Sequence, residues 1–438
     1  MKEPFFGCVP LKNLEETMPD FSPAARVSRI KSSPSVAAAA RVRELKAEGR
    51  RILDLTVGEP DFDTPQHIKE AAIAAINAGE TKYTSVSGTA VLQKAILGRL
   101  EYHTGIRFEP DQITIGGGAK QVIFLALMAS LDAGDEVIIP APYWVSYPDM
   151  VLANDGTPVI VPCTEEVGFK LTPEALRGAI TPRTKWLILN APSNPTGAVY
   201  SREELRALAA ALRDFPHVNV LTDEIYDEIH FGQGRIASLI EVAPELRDRI
   251  FLVNGVSKAY AMTGWRLGYG AGPAPLIAAV NKLQSQMSSC PSSVSQAAAA
   301  AALSGPQDFV SESVAVYRDR RDAAVAGLNA VDGLHCAPAE GAFYAYVNCA
   351  GVIGKRTPDG TQITSDEDFT LYLLDAAHVA TIHGSAYGLG PYFRISFATG
   401  LDTIQEATAA IDKAVRALSW VPAHAPEPAS SNLNSHSR

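Results

Sequence analysis

A lysine and an arginine lie eight residues apart in the segment VNGVSKAYAMTGWRLGYG. Lys258 follows an apolar, strand-like run, and a lysine withdrawn from water in such a turn has the lowered pKa that an imine-forming nucleophile needs. Arg266 carries a guanidinium that can grip a phosphate through two hydrogen bonds. Gly255, Gly264 and Gly268 would allow close approach of the backbone. A lysine at a strand end is ordinarily a solvated surface residue, so this interpretation depends on the whole segment.

A second segment, GGGAKQVIFLAL, places glycines between the strand-like run QITI and an apolar helix. The backbone amides of Gly118, Ala119 and Lys120 would open that helix, where N–H groups without partners and the helix dipole attract an anion. A glycine-rich turn alone is weak evidence. Its position between a strand and a helix predicts a phosphate-binding site.

A third segment, VNVLTDEIYDEI, places a carboxylate directly after a buried strand. Asp223 would be costly there unless it met a cationic partner, which predicts a role in a site. The acidic residues that follow, Glu224, Asp227 and Glu228, are predicted to lie in a solvated helix start.

The elements that must position these residues are apolar, β-branched runs alternating with Ala/Leu-rich helical segments. The runs are DEVIIP, TPVIVP, TKWLILN, VNVLTDE and RIFLVNG. This alternation predicts an α/β fold with a mainly parallel sheet covered by helices on both faces. Pro291 should break the helical stretch 278–303, and one domain is expected to hand over to another there. A charged helix, the strands GAFYAYVNC and YFRISFAT and a closing helix then predict a separate α+β unit.

Length and composition set the class of protein. A chain of 438 residues predicts two or three folding units, and 47% apolar with 20% charged residues is typical of a globular protein. The net charge of -10 disfavours nucleic acid and anionic membranes as partners and favours a small molecule. Five scattered cysteines predict reduced thiols. The acidic, proline-containing start lacks a secretory signal and no apolar run reaches membrane-spanning length, so a cytoplasmic location is expected.

The sequence resembles the fold-type I, pyridoxal-phosphate-dependent aminotransferases, and among them the bacterial aspartate and aspartate/prephenate aminotransferases. SKAYAMTGWR matches the cofactor-lysine motif of that family. Eight further motifs occur in the family's order across residues 28–418: VGEPDFDTP, KYTSVSG, GGGAKQ, PAPYWVSYP, NAPSNPTG, TDEIYDEI, EGAFY and FRISFAT.

The resemblance implies the PLP-dependent transferase fold, with a mixed, mainly parallel seven-stranded sheet in a large domain and a smaller α+β domain. The implied boundaries are a mobile segment 1–27, an N-terminal part of the small domain 28–57, the large domain 58–308, the C-terminal small domain 309–420 and a disordered tail 421–438.

The resemblance also implies the contacts to pyridoxal 5'-phosphate. Lys258 would form the internal aldimine and then move the substrate's α-proton. Asp223 would pair with the ring nitrogen, Tyr226 would donate to the ring oxygen, and Arg266 would bind the phosphate. The other implied cofactor contacts are Gly118, Ala119, Lys120, Trp144, Asn194, Ser257 and, from the neighbouring subunit of a homodimer, Tyr83.

Substrate contacts follow from the same resemblance. Arg394 would hold the α-carboxylate, Gly58 would contact substrate through its backbone, and Trp144 and Asn194 would face both cofactor and substrate. Lys31 lies where relatives that accept aspartate, glutamate or prephenate carry a lysine near the distal carboxylate. The expected reaction is ping-pong transamination between an L-amino acid, with aspartate favoured, and a 2-oxo acid such as 2-oxoglutarate.

Two departures from the family pattern bear on this expectation. Gly255 stands where many relatives place a phosphate-binding serine, and the run 288–303 differs from that of close bacterial relatives near the substrate entrance. A different substrate range, with prephenate or aromatic amino acids, and a lyase on the same fold remain alternatives. A cofactor-binding transcriptional sensor is disfavoured because about 25 unmatched N-terminal residues are too few for a DNA-binding module.

Overall fold

The computed structural model describes residues 22–31 and 34–420 of the chain. The segment 1–27, predicted to be mobile, lies largely outside the described residues, and the tail 421–438, predicted to be disordered, lies wholly outside them.

Strands and helices alternate through most of the described chain. The strands are β1 Leu53–Asp54, β2 Ile113–Gly116, β3 Glu136–Ala141, β4 Thr157–Pro162, β5 Thr184–Asn190, β6 Asn219–Asp223, β7 Ile250–Gly255, β8 Gly268–Ala271, β9 Tyr344–Asn348, β10 Val379–Ala380, β11 Ile382–His383 and β12 Tyr392–Ser396. The helices are α1 Ala25–Ser28, α2 Pro34–Ala47, α3 Gln66–Asn77, α4 Ala90–Thr104, α5 Ala119–Ser130, α6 Ser146–Ala153, α7 Pro173–Ala179, α8 Arg202–Arg213, α9 Leu239–Val242, α10 Ala274–Met287, α11 Ser293–Ser304, α12 Asp308–Asn329, α13 Asp366–Ala376 and α14 Leu401–Arg416.

Seven of these strands form one sheet in the order β2-β8-β7-β6-β5-β3-β4. The pairs β3–β4, β3–β5, β5–β6 and β6–β7 are parallel, whereas β8 runs antiparallel to both β2 and β7. The predicted mainly parallel, mixed seven-stranded sheet is therefore confirmed. The carboxyl ends of its parallel strands meet at one edge, where ligands bind in open α/β sheets.

Both faces of this sheet are covered, which accounts for the continuous apolar runs in its strands. Ile138, Leu187 and Leu252 belong to the core on one face, and Ile139 and Ile188 belong to the core on the other. Strand β7 is buried at each of its six positions. The two cores fix the sheet and hence the positions of the residues at its edge.

A smaller unit stands beside the sheet. Strand β12 pairs antiparallel with both β9 and β11, and the short strand β1 pairs in parallel with β10. Its core is rich in aromatic residues, among them Phe343, Phe369 and Phe393. Through β1, the chain before residue 58 pairs with the C-terminal strand β10. The domain boundaries stay a prediction.

The helical stretch around Pro291 is interrupted as predicted, because α10 ends at Met287 and α11 begins at Ser293. The chain does not pass to the smaller unit at that point, since α11 still packs against α3 and α4. Helix α12 instead contributes Val310 to a core of the large sheet and Leu328 to the core of the smaller unit. The passage between the two cores thus lies within α12.

Among residues 22–31 and 34–420, no helix is long and apolar enough to cross a membrane. The four cysteines in this part of the chain, Cys163, Cys290, Cys336 and Cys349, are free thiols. The cytoplasmic location stays a prediction.

Candidate active site

A cavity of about 640 Å³ opens at the carboxyl edge of the seven-stranded sheet, between the sheet and the smaller unit. Its volume is in the range of small-molecule sites. Most of the residues expected from the sequence line it: Gly58, Ala119, Lys120, Trp144, Asn194, Asp223, Tyr226, Ser257, Lys258, Arg266 and Arg394.

Lys258 lies three residues beyond the end of β7. Its Nζ donates a hydrogen bond of 2.5 Å to the carbonyl oxygen of Gly58 and lies 5.8 Å from the ring centres of both Tyr226 and Phe343. Burial lowers the pKa of Lys258 to about 8, with the negative charge of Glu59 acting in the opposite direction. About a tenth of the amine is therefore unprotonated at pH 7, far more than for a lysine of ordinary pKa, as a nucleophile or base requires.

Asp223 ends β6 and is 4% exposed. Burial raises its pKa to about 6, although the hydroxyl of Tyr147 donates a hydrogen bond of 2.6 Å to its Oδ2. The carboxylate is held from its other side by the backbone amide of Ile225, which lies 3.3 Å from Oδ1. A buried carboxylate at the cavity wall suits a cationic ligand atom.

Arg394, on β12, is 2% exposed and is held by groups from three other elements. Nη1 donates to Oδ1 of Asn194 at 2.9 Å, and Nη2 donates to the carbonyl oxygen of Thr56 at 2.8 Å. Its guanidinium carbon lies 4.4 Å from the ring centre of Tyr344, whose hydroxyl is 3.0 Å from that of Tyr226. Among the described residues its Nε has no hydrogen-bond partner, so the fork retains capacity for an anion.

The glycine-rich turn and Arg266 form a cradle at the start of α5. Gly118 has a φ of +101°, and a Cβ there would lie 2.6 Å from Nη2 of Arg266. On the sheet side, a Cβ on Gly268 would lie 2.3 Å from the amide nitrogen of Ala119. The first amides of a helix have no partner within it. The guanidinium and these amides together suit a phosphate.

Lys120 and Trp144 also line the cavity and contact each other. The Nζ of Lys120 lies 4.7 Å from the ring centre of Trp144, and burial together with the charge of Arg266 lowers the pKa of Lys120. Trp144 in turn contacts Tyr147 edge to face at 5.3 Å. A flat indole near Lys258 suits a planar aromatic ligand.

These groups fit pyridoxal 5'-phosphate. The cradle of Gly118 and Arg266 suits its phosphate, Asp223 suits its ring nitrogen, and Lys258 provides an amine for its aldehyde. The bond between Asn194 and Pro195 is cis.

Three expected residues do not line this cavity; Gly118 borders it through its contact with Arg266, whereas Lys31 and Tyr83 lie away from it. Lys31 is exposed, and its backbone nitrogen donates to Asp149; it lines a neighbouring cavity that shares Lys120 and Arg266 with the first. Tyr83 is 89% exposed, and its expected contact is to a second subunit. Both roles stay predictions.

Gly255 has little space for the serine that many relatives carry. A Cβ there would lie 3.0 Å from the carbonyl oxygen of Leu267 and 3.1 Å from Cα of Gly268. A serine would require the neighbouring β8 to shift.

Sequence reasoning missed several residues of the site. The hydroxyl of Tyr147 donates to Asp223, and the hydroxyl of Tyr344 shares a hydrogen bond with that of Tyr226. The side-chain amide of Asn190 donates to the backbone carbonyl oxygen of Asp223 at 2.9 Å. Tyr147 lies in the same PAPYWVSYP motif as Trp144, three residues on, where one helical turn brings side chains together. That spacing was the available signal.

The prediction that Glu224 and Asp227 are solvated is wrong. Both are 5% exposed, because the chain after β6 folds as a turn whose second face lies against α4 and β7. Cations and hydrogen-bond donors on those elements compensate the buried carboxylates.

Comparison with known proteins places this arrangement in context. Residues 50–411 match the family model described as aminotransferase class I and II. An aspartate aminotransferase of Rhizobium meliloti (strain 1021) is 52% identical over 399 residues, which cover 91% of this chain and 97% of the relative. An aspartate/prephenate aminotransferase of Cereibacter sphaeroides is 50% identical over 385 residues, covering 88% of this chain and 96% of the relative.

Solved structures agree. The crystal structure of an aspartate aminotransferase from Rhizobium meliloti is 52% identical, has a TM-score of 0.89 and is matched over 91% of this chain and 100% of its own. That of a Thermus thermophilus aspartate aminotransferase with maleate is 37% identical, has a TM-score of 0.83 and is matched over 90% and 100%, respectively.

Proposed function

Since this chain belongs to the class I and II aminotransferases and uses pyridoxal 5'-phosphate, we propose that it transfers the amino group of aspartate to 2-oxoglutarate. The observation that carries the proposal is the cavity in which the Lys258 amine, the Asp223 carboxylate and the Arg394 guanidinium meet. Each of the three has a defined and separate partner, so each can perform a separate task.

The cofactor, when bound, supplies an aldehyde that condenses with amines and a ring that accepts the electron pair left by a departing α-proton. Arg266 and the first amides of α5 would hold its phosphate, and Asp223 its ring nitrogen. Tyr226 would donate a hydrogen bond to the ring oxygen. Lys258 Nζ, with a pKa of about 8, would accept the α-proton and return it to the cofactor carbon as acid and base.

Arg394 would bind the α-carboxylate of the substrate. Asn194 Oδ1 and the carbonyl of Thr56 fix its guanidinium from two sides, which supports a rigid orientation of the substrate. Trp144 and Gly58 would flank the bound amino acid.

The preference for a dicarboxylate rests on two supports. The similar proteins from Rhizobium meliloti and Thermus thermophilus are named aspartate aminotransferases, and the latter was solved with maleate, a four-carbon dicarboxylate. Lys120 and Arg43 add positive charge to the cavity wall, and Lys31 lines the neighbouring cavity. These cations would receive the second carboxylate.

A cytoplasmic homodimer with shared active sites is part of the proposal. The exposed Tyr83 would reach the cofactor phosphate of a second copy. Mixing Tyr83→Phe and Lys258→Ala subunits tests this arrangement, because one site of each hybrid dimer would regain both wild-type side chains. Activity should reappear on mixing; no recovery would place Tyr83 outside the partner's site.

Absorbance of the purified holoenzyme tests the reaction. The visible absorbance of the bound cofactor should disappear on addition of aspartate and return on addition of 2-oxoglutarate. Lys258→Ala should show neither change, whereas Lys94→Ala, at an exposed lysine, should behave as the wild type. A protein that binds the cofactor but does not respond to aspartate would refute the donor assignment.

Prephenate is a second candidate substrate, because relatives about 50% identical are named aspartate/prephenate aminotransferases. The same spectra with prephenate as amino acceptor would show it. A lyase is distinguished by long incubation with aspartate alone: a transaminase stops after one equivalent of oxo acid, whereas a lyase continues to release oxo acid and ammonia.

A further inference from the structure

The turn that follows β6, residues 224–229, has two faces. One face carries Tyr226 and Ile225, which line the cavity together with Asp223 at the strand end. The other carries Glu224 and Asp227, which point away from the cavity. Backbone hydrogen bonds from Asp227 to Glu224, 2.9 Å, and from Ile229 to Tyr226, 2.8 Å, make the turn one compact unit.

The second face contacts the last turn of α4. The ring of His103 lies with Nε2 3.4 Å from Oε2 of Glu224 and Nδ1 3.6 Å from Oδ2 of Asp227. Arg99 Nη2 lies 3.6 Å from the same Oδ2 and also contacts Glu228. Two cationic side chains one helical turn apart thus face the carboxylates of the turn.

Neutral groups complete the cluster. The hydroxyl of Ser238 donates to Oε1 of Glu224 at 2.7 Å, and the amide of Asn254 on β7 donates to Oδ2 of Asp227 at 2.9 Å. His103, Glu224 and Asp227 are each 4% to 5% exposed. Little water is available to screen these charges.

The charge balance of the cluster depends on His103. Three carboxylates, those of Glu224, Asp227 and Glu228, face one permanent cation, Arg99, which contacts Asp227 and Glu228. With a neutral imidazole, this single positive charge would oppose all three carboxylates, and the buried Glu224 would have no cationic partner among the described residues. Although burial by itself lowers it, the pKa of His103 is raised by the negative charges of Asp227 and Glu224. The position of His103 in the last turn of α4 also favours a cation.

We propose that His103, as an imidazolium, is a positioning residue for transamination: from α4 it holds the turn 224–229, and through the turn it holds Asp223 and Tyr226 against the cofactor. Glu224 directly follows Asp223 in the chain, and Asp227 directly follows Tyr226. Without the imidazolium, repulsion between the carboxylates on one face of the turn would therefore displace Asp223 and Tyr226 at the cavity. This inference rests on the proposed function.

A metal ion is not needed to explain the cluster. His103, Asp227 and Glu228 are of ligand type and close together, but Arg99 contacts both carboxylates and occupies the place of a cation. Other charged or titratable groups near His103 and its partners also enter its pH dependence. They are Arg235, which donates to the backbone carbonyl oxygen of His103, His230 beyond the turn, Tyr260 in the loop after β7 and Tyr269 on β8.

The test compares two variants. His103→Gln removes the positive charge of the imidazolium but keeps hydrogen-bonding capacity, and the double variant His103→Gln/Glu224→Gln also removes one negative charge, which restores the net charge of the cluster. His217→Gln, at an exposed histidine before β6, is the matched control. Three measurements are made on each: the Kd of pyridoxal phosphate from reconstitution, kcat and KM of the holoenzyme, and amide hydrogen exchange of the peptide 223–229.

For His103→Gln we expect a Kd raised about tenfold, a kcat lowered by a similar factor and little change in the KM of the amino acid, because Arg394 lies on another element. Exchange in 223–229 should accelerate even without cofactor. The double variant should recover most of each loss. His217→Gln should match the wild type.

The wild type provides a measurement that does not depend on a variant folding. Since the pKa of His103 is raised in the folded state, its stabilising effect is complete below the unfolded value of about 6.5 and is lost as pH rises through the folded value. Amide exchange is itself base-catalysed, so each rate is divided by the intrinsic rate of the same amide at the same pH to give a protection factor. Protection of 223–229 should then fall selectively on the alkaline side. Wild-type protection factors that do not change with pH, or a single variant equal to the double variant in every measurement, would overturn the proposal. Absence of transamination by the wild type would refute the proposed function instead, and the exchange data from cofactor-free protein would still decide the role of His103.

Discussion

The hydroxyl of Tyr147 on α6 donates a hydrogen bond of 2.6 Å to Oδ2 of Asp223 on β6, where both side chains are buried. The bond favours the ionised carboxylate, whereas burial favours the protonated one. Tyr147 thus moderates the pKa of Asp223, and the ionisation of the proposed partner of the ring nitrogen depends on a residue in a different motif.

Tyr147→Phe should therefore raise the pKa of Asp223 above its value of about 6. Less carboxylate is then ionised at neutral pH, and kcat at pH 7 should fall about 2- to 15-fold, with partial recovery toward pH 8.5. A pH profile of kcat checks this. A loss equal at all pH values would mean that Tyr147 acts only through packing.

Asp223→Asn should stabilise the cofactor-free protein while abolishing transamination. The pKa of Asp223 is raised from 3.8 to about 6, so its ionisation opposes folding: the cost is absent below the unfolded pKa, grows between the two values and is complete above about 6. The expected gain is about 1–3 kcal/mol at pH 8 and none at pH 4. Denaturant unfolding at both pH values measures it, and equal gains at both would contradict the assignment.

Arg394→Lys should impair substrate binding more than cofactor binding. A lysine cannot reach Asn194 Oδ1 and the Thr56 carbonyl together while gripping a carboxylate with two hydrogen bonds. We expect kcat/KM for aspartate to fall about 100-fold or more with an unchanged Kd of the cofactor. Arg416→Lys, at an exposed arginine of α14, is the matched control and should be silent.

Gly118→Ala should weaken cofactor retention. The φ of +101° is unfavourable for alanine, and the new Cβ would lie 2.6 Å from Nη2 of Arg266. Dialysis followed by reconstitution should show a Kd for pyridoxal phosphate raised about tenfold or more. Gly98→Ala serves as the control, since a Cβ at this exposed position of α4 meets nothing within 4 Å and should leave cofactor binding unchanged. Equal Kd values for the two variants would contradict a role of Gly118 and Arg266 in binding the cofactor phosphate.

Much of this architecture could be predicted from local pattern. The apolar runs identified β3, β5, β6 and β7 because strands buried on both faces need continuous apolar sequence. The edge strand β4 is mostly exposed or half-buried, and its β-branched residues identified it instead. Strand β8, GYGA, escaped notice, since its glycines serve close approach to α5 and carry no apolar signal. The position of Lys258 just after a strand could also be predicted, because the apolar run that precedes it identified β7.

The contacts between motifs could not be predicted in the same way. Tyr344 and Arg394 are brought together by the pairing of β9 with β12, and nothing in either segment states which side chain faces the cavity. Glu224 and Asp227 were misassigned because an acidic run ordinarily indicates solvent exposure. Their burial depends on Arg99 and His103, more than 100 residues earlier in the chain.

A side chain of helix α12 is connected to the active site through a hydrogen-bonded segment. Arg320, 9% exposed, forms two hydrogen bonds of 2.8 Å to the carboxylate of Asp61, three residues after the glycine whose carbonyl accepts from Lys258. Three residues span at most about 10 Å, so this segment is a short tether with fixed ends. In mechanical terms, Arg320 and Asp61 connect the helix shared by both cores to the carbonyl group that accepts from the Lys258 amine, so a displacement of the helix would be transmitted to that hydrogen bond.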